Sequence, residues 1–219
     1  MIGPQKEDYM FRDRLDAGLF LAQKLRKFKG DPGVVLAVPR GGVPVGYAVA
    51  RELNFPLDVI LTKKIGHPRN EEYAIGAASL TDYFVIPHSN VSDEYVAQEV
   101  ERIRIRLKDM YKKFMGDREP EDLKGKTVIV IDDGIATGNT LLATVNVLRK
   151  SEPAKIVIAV PVASKSAVQK LSKEVDEVIA IMIPHEFYGV GAFYHNFTQV
   201  SDEKVMFYLN KLRESGKVV

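Results

Sequence analysis

The chain has no cysteine and no tryptophan among its 219 residues. The lack of cysteine excludes disulfides, thiolate nucleophiles and cysteine-ligated zinc, and it fits a reducing cytoplasm. No apolar run reaches the ~18 residues that a membrane-spanning helix requires, and the amino terminus lacks the apolar core of a signal peptide. We therefore expect a cytoplasmic protein that has no membrane partner.

The chain also lacks an excess of charge of either sign. Its 31 lysines and arginines nearly balance its 29 aspartates and glutamates, which leaves a net charge of +2. Such a balance gives no support for non-specific nucleic-acid binding. Hydrophobic residues make up 46% of the chain, enough for the core of one large α/β domain. Because no linker interrupts the pattern, we expect residues 1–219 to form a single domain.

Residues 127–148 are the most informative stretch, because a strand, a turn and a helix follow one another there. Val128 to Ile131 form a short β-branched run, which predicts a parallel strand buried on both faces. Apolar residues with helical spacing begin after Asn139, so the chain turns over 132–138. We expect this turn to lie at the carboxyl edge of the sheet.

The turn has the composition of a phosphate site. Its two glycines allow unusual backbone angles, and short polar side chains lie beside the unpaired amides that open the next helix. Two carboxylates at the start of the turn would repel a phosphate, so we expect them to bind sugar hydroxyls or a hydrated cation. The residues concerned are Asp132, Asp133, Gly134, Ile135, Ala136, Thr137, Gly138, Asn139 and Thr140. Together they predict a sugar-phosphate site.

Two commoner nucleotide motifs do not fit this stretch. Only three residues separate Gly134 from Gly138, and Asn139 stands where a Walker loop requires lysine. No Gly-x-Gly-x-x-Gly follows a strand, so a Rossmann dehydrogenase is disfavoured as well. The stretch instead resembles the signature with which type I phosphoribosyltransferases bind 5-phosphoribosyl 1-diphosphate (PRPP). An ordinary structural turn is the alternative.

Apolar runs and helical patterns alternate along the rest of the chain. Helices are expected over 12–28, 43–53, 92–115 and 201–212 and from positions 139 and 164, and strands over 34–38, 57–61, 74–79, 83–86, 128–131, 155–163 and 178–183. This order predicts an α/β fold with a mainly parallel sheet flanked by helices. The 92–115 pattern indicates a helix on its own core with a solvated arginine run. A seam between the copies of a homodimer is the alternative.

A second glycine turn, Pro39-Arg40-Gly41-Gly42, lies between another predicted strand and helix. Taken alone, it is a tight connection with a solvated arginine. It resembles the loop with which type I phosphoribosyltransferases bind pyrophosphate, where amides and a cation lie close to an anion. The resemblance implies that Arg40, Gly41 and Gly42 receive the diphosphate. It also implies a non-proline cis peptide between Pro39 and Arg40.

Residues 63–73 are polar and follow the second predicted strand. A solvated basic loop is one interpretation of this composition. The flexible catalytic loop of the family lies at the same place in the chain order, which implies a lid that closes over the diphosphate and excludes water. The lid side chains with a catalytic role would be Lys63, Lys64, His67 and Arg69.

Residues 184–200 are rich in aromatic side chains and glycines. They are either core aromatics or a stacking surface for a flat heterocycle. The segment Phe-Tyr-Gly-Val-Gly-Ala-Phe-Tyr-His-Asn-Phe and the three stretches above resemble predicted bacterial and archaeal phosphoribosyltransferases, some of them fused to a hydrolase domain. That resemblance implies a small carboxy-terminal hood over the acceptor. Its aromatic residues would be Phe187, Tyr188, Phe193 and Tyr194.

The resemblance implies a cytoplasmic enzyme of nucleotide metabolism that transfers ribose 5-phosphate from PRPP to a small nitrogenous acceptor and releases pyrophosphate. It also implies Mg²⁺, bound through PRPP and water, with Asp132 and Asp133 as candidate ligands. Hypoxanthine-guanine enzymes carry a carboxylate where this chain has Ala136, so a 6-oxopurine handled by that base is disfavoured. A regulator that senses PRPP or a nucleotide, and a phosphohydrolase of either, are the alternative functions.

Overall fold

The computed structural model of the protein describes residues 10–86 and 91–214. Within these ranges it has a main sheet of five strands, a small sheet of three strands and six α-helices. The main sheet contains β1 (Gly33–Ala37), β2 (Leu57–Val59), β6 (Thr127–Ile131), β7 (Lys155–Val162) and β8 (Glu177–Met182), and the small sheet contains β3 (Lys63–His67), β4 (Asn70–Ala78) and β5 (Tyr83–Val85). The helices are α1 (Arg14–Leu25), α2 (Gly42–Leu53), α3 (Asp93–Met115), α4 (Asn139–Leu148), α5 (Lys165–Leu171) and α6 (Asp202–Glu214).

The main sheet has the strand order β2-β1-β6-β7-β8, and all neighbouring strands are parallel. Helices α1, α2, α3 and α6 pack on one face, and α4 and α5 pack on the other. All five residues of β6 are therefore buried, as expected for a strand covered on both sides. This arrangement confirms the predicted α/β fold with a mainly parallel sheet flanked by helices.

The central strand β6 anchors both halves of the core. Successive side chains alternate between the faces, so Ile129 and Ile131 contact one layer of helices while Val128 and Val130 contact the other. Burying a side chain of this size contributes roughly 1.5–3 kcal/mol to folding. The end of β6, where the predicted turn begins, is thus held from both sides.

In the helix predicted over 12–28, one apolar stripe comprises Leu15, Leu19, Ala22, Leu25 and Phe28, and Arg14 falls on another face. Helix α1 is rotated relative to that stripe. Leu19, expected inside, is 40% exposed, whereas Arg14 is only 8% exposed. Close contact with α2 explains the rotation, because Gly18 leaves no room for a side chain. A Cβ atom there would lie 2.9 Å from that of Ala48. The rotation carries the Arg14 side chain into the interior.

Residues 63–73 belong to an antiparallel hairpin of β3 and β4, where the sequence indicated a loop before a strand at 74. Most of their side chains are exposed, so the polar composition hid the strands. Tyr95 of α3 donates a hydrogen bond from its hydroxyl to the carbonyl of Gly66 at 2.9 Å. The hairpin is therefore attached to α3 near its tip.

Within 10–86 and 91–214, no helix combines the length and the apolar character needed to cross a membrane. Helix α3 reaches 23 residues, but charged side chains recur along it.

Candidate active site at the carboxyl edge of the main sheet

The turn after β6 has the predicted strand-turn-helix geometry. Gly138 adopts a left-handed conformation with φ of 72°, which glycine accommodates without steric cost. Helix α4 begins at the next residue, so its first backbone amides have no partner within the helix. Amides in this position favour an anion such as phosphate. The local structure thus agrees with the anion-binding composition of the turn.

Two residues proposed to contact substrate are engaged by the protein instead. Ile135 is buried, its amide donates to the carbonyl of Val162, and its carbonyl accepts from the amide of Ser164, both at 2.9 Å. The Ser164 hydroxyl donates to the carbonyl of Ala136 at 2.6 Å. These bonds extend the sheet into the turn. Ile135 and the Ala136 carbonyl therefore position the loop.

Lys170 of α5 supports the same loop from another side. Its Nζ donates to Asn139 Oδ1 at 2.7 Å and to the carbonyl of Thr137 at 3.2 Å. The carbonyl of Thr137 and the amide of Gly138 belong to one peptide and point in opposite directions. Because Lys170 binds that carbonyl, it lies on the side away from the Gly138 amide. The helical sequence around Lys170 gave no sign of this contact.

The Pro39–Gly42 turn lies directly against the turn after β6. The peptide between Pro39 and Arg40 is cis, as the resemblance implied. A Cβ atom on Gly41 would lie 2.0 Å from Asp133 Oδ2. One on Gly42 would lie 2.6 Å from the carbonyl oxygen of Ile131. Only glycine allows this approach, and it brings the two predicted anion-binding turns into contact.

Asp133 is held by Arg14, a residue that the helical pattern had placed on an outer face. Arg14 Nε donates to Asp133 Oδ2 at 2.7 Å, and Nη1 donates to the carbonyl of Thr198 at 2.8 Å. The guanidinium also lies 3.8 Å from the ring centroid of Phe197. Arg14 thereby joins α1 to the β6 turn and to the aromatic segment. Its helical spacing with the buried Leu21 was the one signal that could have found it.

The surroundings of Asp132 and Asp133 disfavour the ionised forms of both carboxyl groups. Burial, followed by repulsion from Asp133, raises the pKa of Asp132 to about 8. Burial also raises the pKa of Asp133, while the hydrogen bond and charge of Arg14 oppose that rise. Asp132 Oδ1 accepts from the amide of Asp133 at 2.8 Å. A ligand that brings hydroxyl donors or a cation would favour the ionised form of Asp132.

A cleft of about 810 Å³ is lined by Pro39 and Arg40 of one turn and by Thr140 in the first turn of α4, which follows the other. Its polar lining comprises Arg40, Thr62, Lys63, Arg106, Lys113 and Thr140, with Asp109 and Asp202. A second cavity of about 450 Å³ lies beside Asp58 and the β4–β5 turn, and none of the predicted site residues lines it. The larger cleft is therefore the candidate active site.

The predicted lid residues divide into two groups. Lys63 lines the cleft, whereas Lys64, His67 and Arg69 do not. Lys64 Nζ donates to Glu72 across the hairpin at 2.7 Å, and His67 Nδ1 accepts from the amide of Arg69 at 3.1 Å. The side chains of Lys64, His67 and Arg69 therefore lie outside the cleft in this structure.

Tyr194, predicted to face the acceptor, is part of the core. Its ring contacts Phe11 and Phe197 at centroid distances of 5.4 and 5.0 Å. Its hydroxyl donates to the carbonyl of Asp133 at 2.6 Å. The amino-terminal segment pairs with it, since the amide of Phe11 donates to the carbonyl of Phe193 at 2.9 Å. Tyr194 therefore supports the acid pair rather than offering a free ring.

The other aromatic residues of segment 184–200 are more accessible. Phe187 and Phe193 contact each other at 5.7 Å and are partly buried, and Tyr188 is 82% exposed. The segment lies over the β6 turn, because a Cβ atom on Gly134 would be 2.5 Å from Val190 Cγ1. Of the four predicted aromatics, Phe187, Tyr188 and Phe193 thus remain candidates for contact with an acceptor.

A family model described as the phosphoribosyl transferase domain matches residues 15–197. The chain belongs to the phosphoribosyl transferase family. The matched range contains both glycine turns, the acid pair, the hairpin and the aromatics of segment 184–200 up to Phe197. In this chain, the turns, the acids and the aromatic segment meet at one edge of the sheet.

Two relatives match most of the length of this chain. It is 39% identical over 207 residues to a provisionally named phosphoribosyl transferase of Mycobacterium tuberculosis, an alignment that covers 92% of this chain and 47% of the relative. The chain thus spans about half the length of the curated relatives it matches. A crystal structure from Thermus thermophilus is 38% identical with a TM-score of 0.82, and the match covers 93% of this chain and 99% of that one.

A shorter similarity links this chain to a ribose-phosphate pyrophosphokinase of Pyrococcus furiosus. The two are 41% identical over 59 residues, which is 26% of this chain and 21% of the relative.

Proposed function

We propose that the chain is a Mg²⁺-dependent phosphoribosyltransferase that uses PRPP as donor and a small nitrogenous acceptor, and releases pyrophosphate. The contact between the two glycine turns carries this proposal. Gly41 packs against the Asp133 carboxylate, and Gly42 packs against the end of β6. One ligand with a phosphate at one end and a diphosphate at the other can therefore reach both turns, with its sugar beside the acids.

Each part of the donor has a chemically matched partner. The amides and hydroxyls from Thr137 to Thr140 would bind the 5-phosphate. Asp132 and Asp133 would accept hydrogen bonds from the ribose hydroxyls. Arg40 and Lys63, which line the same cleft as Thr140, would bind the diphosphate. Of these residues, Arg40, Lys63 and Thr140 line the cleft, and Asp132 and Asp133 lie outside its lining.

The acid pair also suits a bound Mg²⁺ ion. Carboxylate oxygens are the protein ligands that Mg²⁺ prefers, and burial of Asp132 raises its pKa more than the charge of Arg14 lowers it. Asp132 and Asp133 would hold the ion, and oxygens of PRPP and water would supply its other ligands. When bound, Mg²⁺ would neutralise negative charge on the departing diphosphate.

The chain's residues would act by binding and orientation. The bond from the anomeric carbon to the diphosphate oxygen breaks, and its electron pair leaves on the diphosphate. A nitrogen of the acceptor donates the electron pair of the new bond, and its proton passes to water. Arg40 and Lys63 would stabilise the departing charge, while the 5-phosphate loop fixes the ribose. Ala136 cannot accept a purine ring proton.

Mass spectrometry of the products formed from Mg-PRPP and a panel of bases and amines tests this function. We expect one phosphoribosylated product together with an equal amount of pyrophosphate. A variant with Asp132→Asn and Asp133→Asn is the control that should form neither. Binding of PRPP without turnover would instead indicate a sensor, and breakdown of PRPP without an acceptor would indicate a hydrolase.

A further inference from the structure

One face of α3 lines the candidate active-site cleft. Arg106, Met110 and Lys113 recur at intervals of four and three residues, so they lie on one side of the helix. All three border the cleft together with Arg40 and Thr140. The basic run of this helix was expected to be solvated. Arg106 and Lys113 are exposed, and both also line the cleft beside Arg40 and Thr140.

Asp202, the first residue of α6, joins Lys113 to Arg40. Its Oδ2 accepts from Lys113 Nζ at 2.6 Å, and its Oδ1 lies 3.5 Å from Arg40 Nη1. The hydrogen bond from Lys113 lowers the pKa of Asp202, which keeps the carboxylate ionised at neutral pH. Both cations are about half exposed, so an anion entering the cleft can reach them.

The charge of the cleft exceeds what its own acids neutralise. Four cationic side chains line it, against two carboxylates: Arg40, Lys63, Arg106 and Lys113 against Asp109 and Asp202. A diphosphate offers more acceptor oxygens and more charge than one carboxylate, so it competes well for paired cations. The Asp202 contact is accordingly one that a diphosphate can replace.

We propose that Lys113 is a further diphosphate-binding residue and that Asp202 is the counter-ion that holds Lys113 and Arg40 until the diphosphate arrives. This proposal rests on the proposed function of the cleft and deepens it. The diphosphate subsite then draws on α3 and α6 as well as on the Pro39–Gly42 turn. The cations of the cleft come from the Pro39–Gly42 turn, from β3 and from α3, and α6 supplies the counter-ion Asp202.

Titration with Mg-pyrophosphate and, separately, with ribose 5-phosphate tests the role of Lys113. Lys113→Gln should weaken pyrophosphate binding roughly tenfold, because a charge-assisted contact is lost. Ribose 5-phosphate lacks the diphosphate, so its affinity should stay within about twofold of the wild type. Lys113→Arg should retain most of the pyrophosphate affinity, because it keeps the charge.

Lys112→Gln is the matched control. Lys112 is the neighbouring residue on the same helix, lies outside the lining of the cleft and pairs with Asp117 at 3.0 Å. The substitution makes the same change in net charge but should leave pyrophosphate affinity unchanged. Equal weakening in both glutamine variants would mean that only overall charge matters, and the assignment of Lys113 would be overturned.

Asp202→Asn tests the counter-ion role, and its effect on pyrophosphate affinity should be opposite in sign to that of Lys113→Gln. Removing the competing carboxylate should tighten pyrophosphate binding about threefold, whereas Asp117→Asn should leave it unchanged. Unaltered or weaker binding in Asp202→Asn, with an unchanged melting temperature, would overturn the counter-ion role. If the wild type binds neither Mg-PRPP nor pyrophosphate, the proposed function fails as well. If the wild type binds Mg-PRPP and pyrophosphate, and Lys113→Gln binds pyrophosphate with the same affinity as the wild type, only the Lys113 assignment fails.

Discussion

Arg14 and Asp133 lie 119 residues apart in the sequence, and Nε of the first donates to Oδ2 of the second at 2.7 Å. Both side chains are largely buried. A buried ion pair adds little net stability on its own, but removal of one partner leaves an uncompensated charge. The stability of the fold and the orientation of Asp133, a proposed ribose-binding carboxylate, therefore both depend on this contact.

Arg14→Met should destabilise the protein and weaken PRPP binding together. Loss of the guanidinium leaves Asp133 buried and unpaired, at a cost of about 3 kcal/mol in the free energy of unfolding. Arg12→Met is the control, because Arg12 forms an exposed ion pair with Asp16 and should change stability by less than about 1 kcal/mol. Urea denaturation measures the free energy of unfolding of both variants, and equal values would contradict the role of Arg14.

Asp132→Asn should stabilise the folded protein at alkaline pH while it weakens PRPP binding. The pKa of Asp132 is about 8 in the fold against an ordinary 3.8, so its contribution to stability is present at low pH and is lost as the pH rises from about 4 to about 8. Asparagine removes that dependence. We expect a gain of several kcal/mol, on the order of 5, near pH 8.5 and little near pH 4.

Urea denaturation near pH 4 and near pH 8.5, and calorimetry with Mg-PRPP, test the Asp132 prediction. Asp117→Asn, at an exposed position, serves as the control for loss of a carboxylate. Lower stability of Asp132→Asn at alkaline pH would refute the electrostatic part. Replacing both Asp132 and Asp133 by Asn should cost about 2 to 4 kcal/mol in PRPP binding, and an unchanged affinity would refute the ribose assignment.

The β3–β4 hairpin should become protected when PRPP binds. Its exposed cations stand away from the cleft, apart from Lys63, and closure would bring them to the diphosphate. Hydrogen exchange over residues 63–73 should slow on addition of Mg-PRPP. Strand β8, which contributes nothing to the lining of the cleft, is the reference that should not change. Equal exchange of the hairpin in both states would rule out a lid.

Phe193→Ala and Tyr188→Ala should reduce acceptor affinity or turnover while leaving PRPP affinity nearly intact. Stacking on an acceptor is worth roughly 0.5 to 1.5 kcal/mol beyond area burial, a loss of about 2- to 12-fold. Tyr194→Ala should instead lower the free energy of unfolding by about 3 kcal/mol, because the Tyr194 ring packs between Phe11 and Phe197. Steady-state kinetics with the identified acceptor and thermal unfolding separate these outcomes.

The acceptor itself should not be a 6-oxopurine. Ala136 leaves the loop without the carboxylate that handles a purine ring proton in the hypoxanthine-guanine enzymes. Hypoxanthine and guanine should therefore give much slower turnover than the preferred base or amine, and rapid turnover of either would contradict this prediction.

Local patterns were sufficient for the main sheet and for the turn after β6, since the strand, the glycines and the helix start are consecutive in the chain. Strand β3 and the first half of β4 were missed because their exposed side chains lack alternation, whereas the strand predicted over 74–79 overlaps the second half of β4. The roles of Arg14, Lys170 and Lys113 depend on partners far away in sequence, which periodicity cannot reveal. The cis peptide at Pro39–Arg40 came from resemblance alone. The single domain, the homodimer, Mg²⁺ and the acceptor stay predictions.

The pairing of the aromatic segment with the amino-terminal segment has a consequence for synthesis. Phe11 pairs with Tyr194, and Arg14 contacts Thr198, which lies 184 residues further along. A chain emerging from the ribosome can complete β1 and β6 long before these partners exist. The side of the site proposed for the acceptor therefore forms late, so a polypeptide stopped before Tyr194 would contain both anion turns but leave Phe11 without its strand partner and Arg14 without its contact to Thr198.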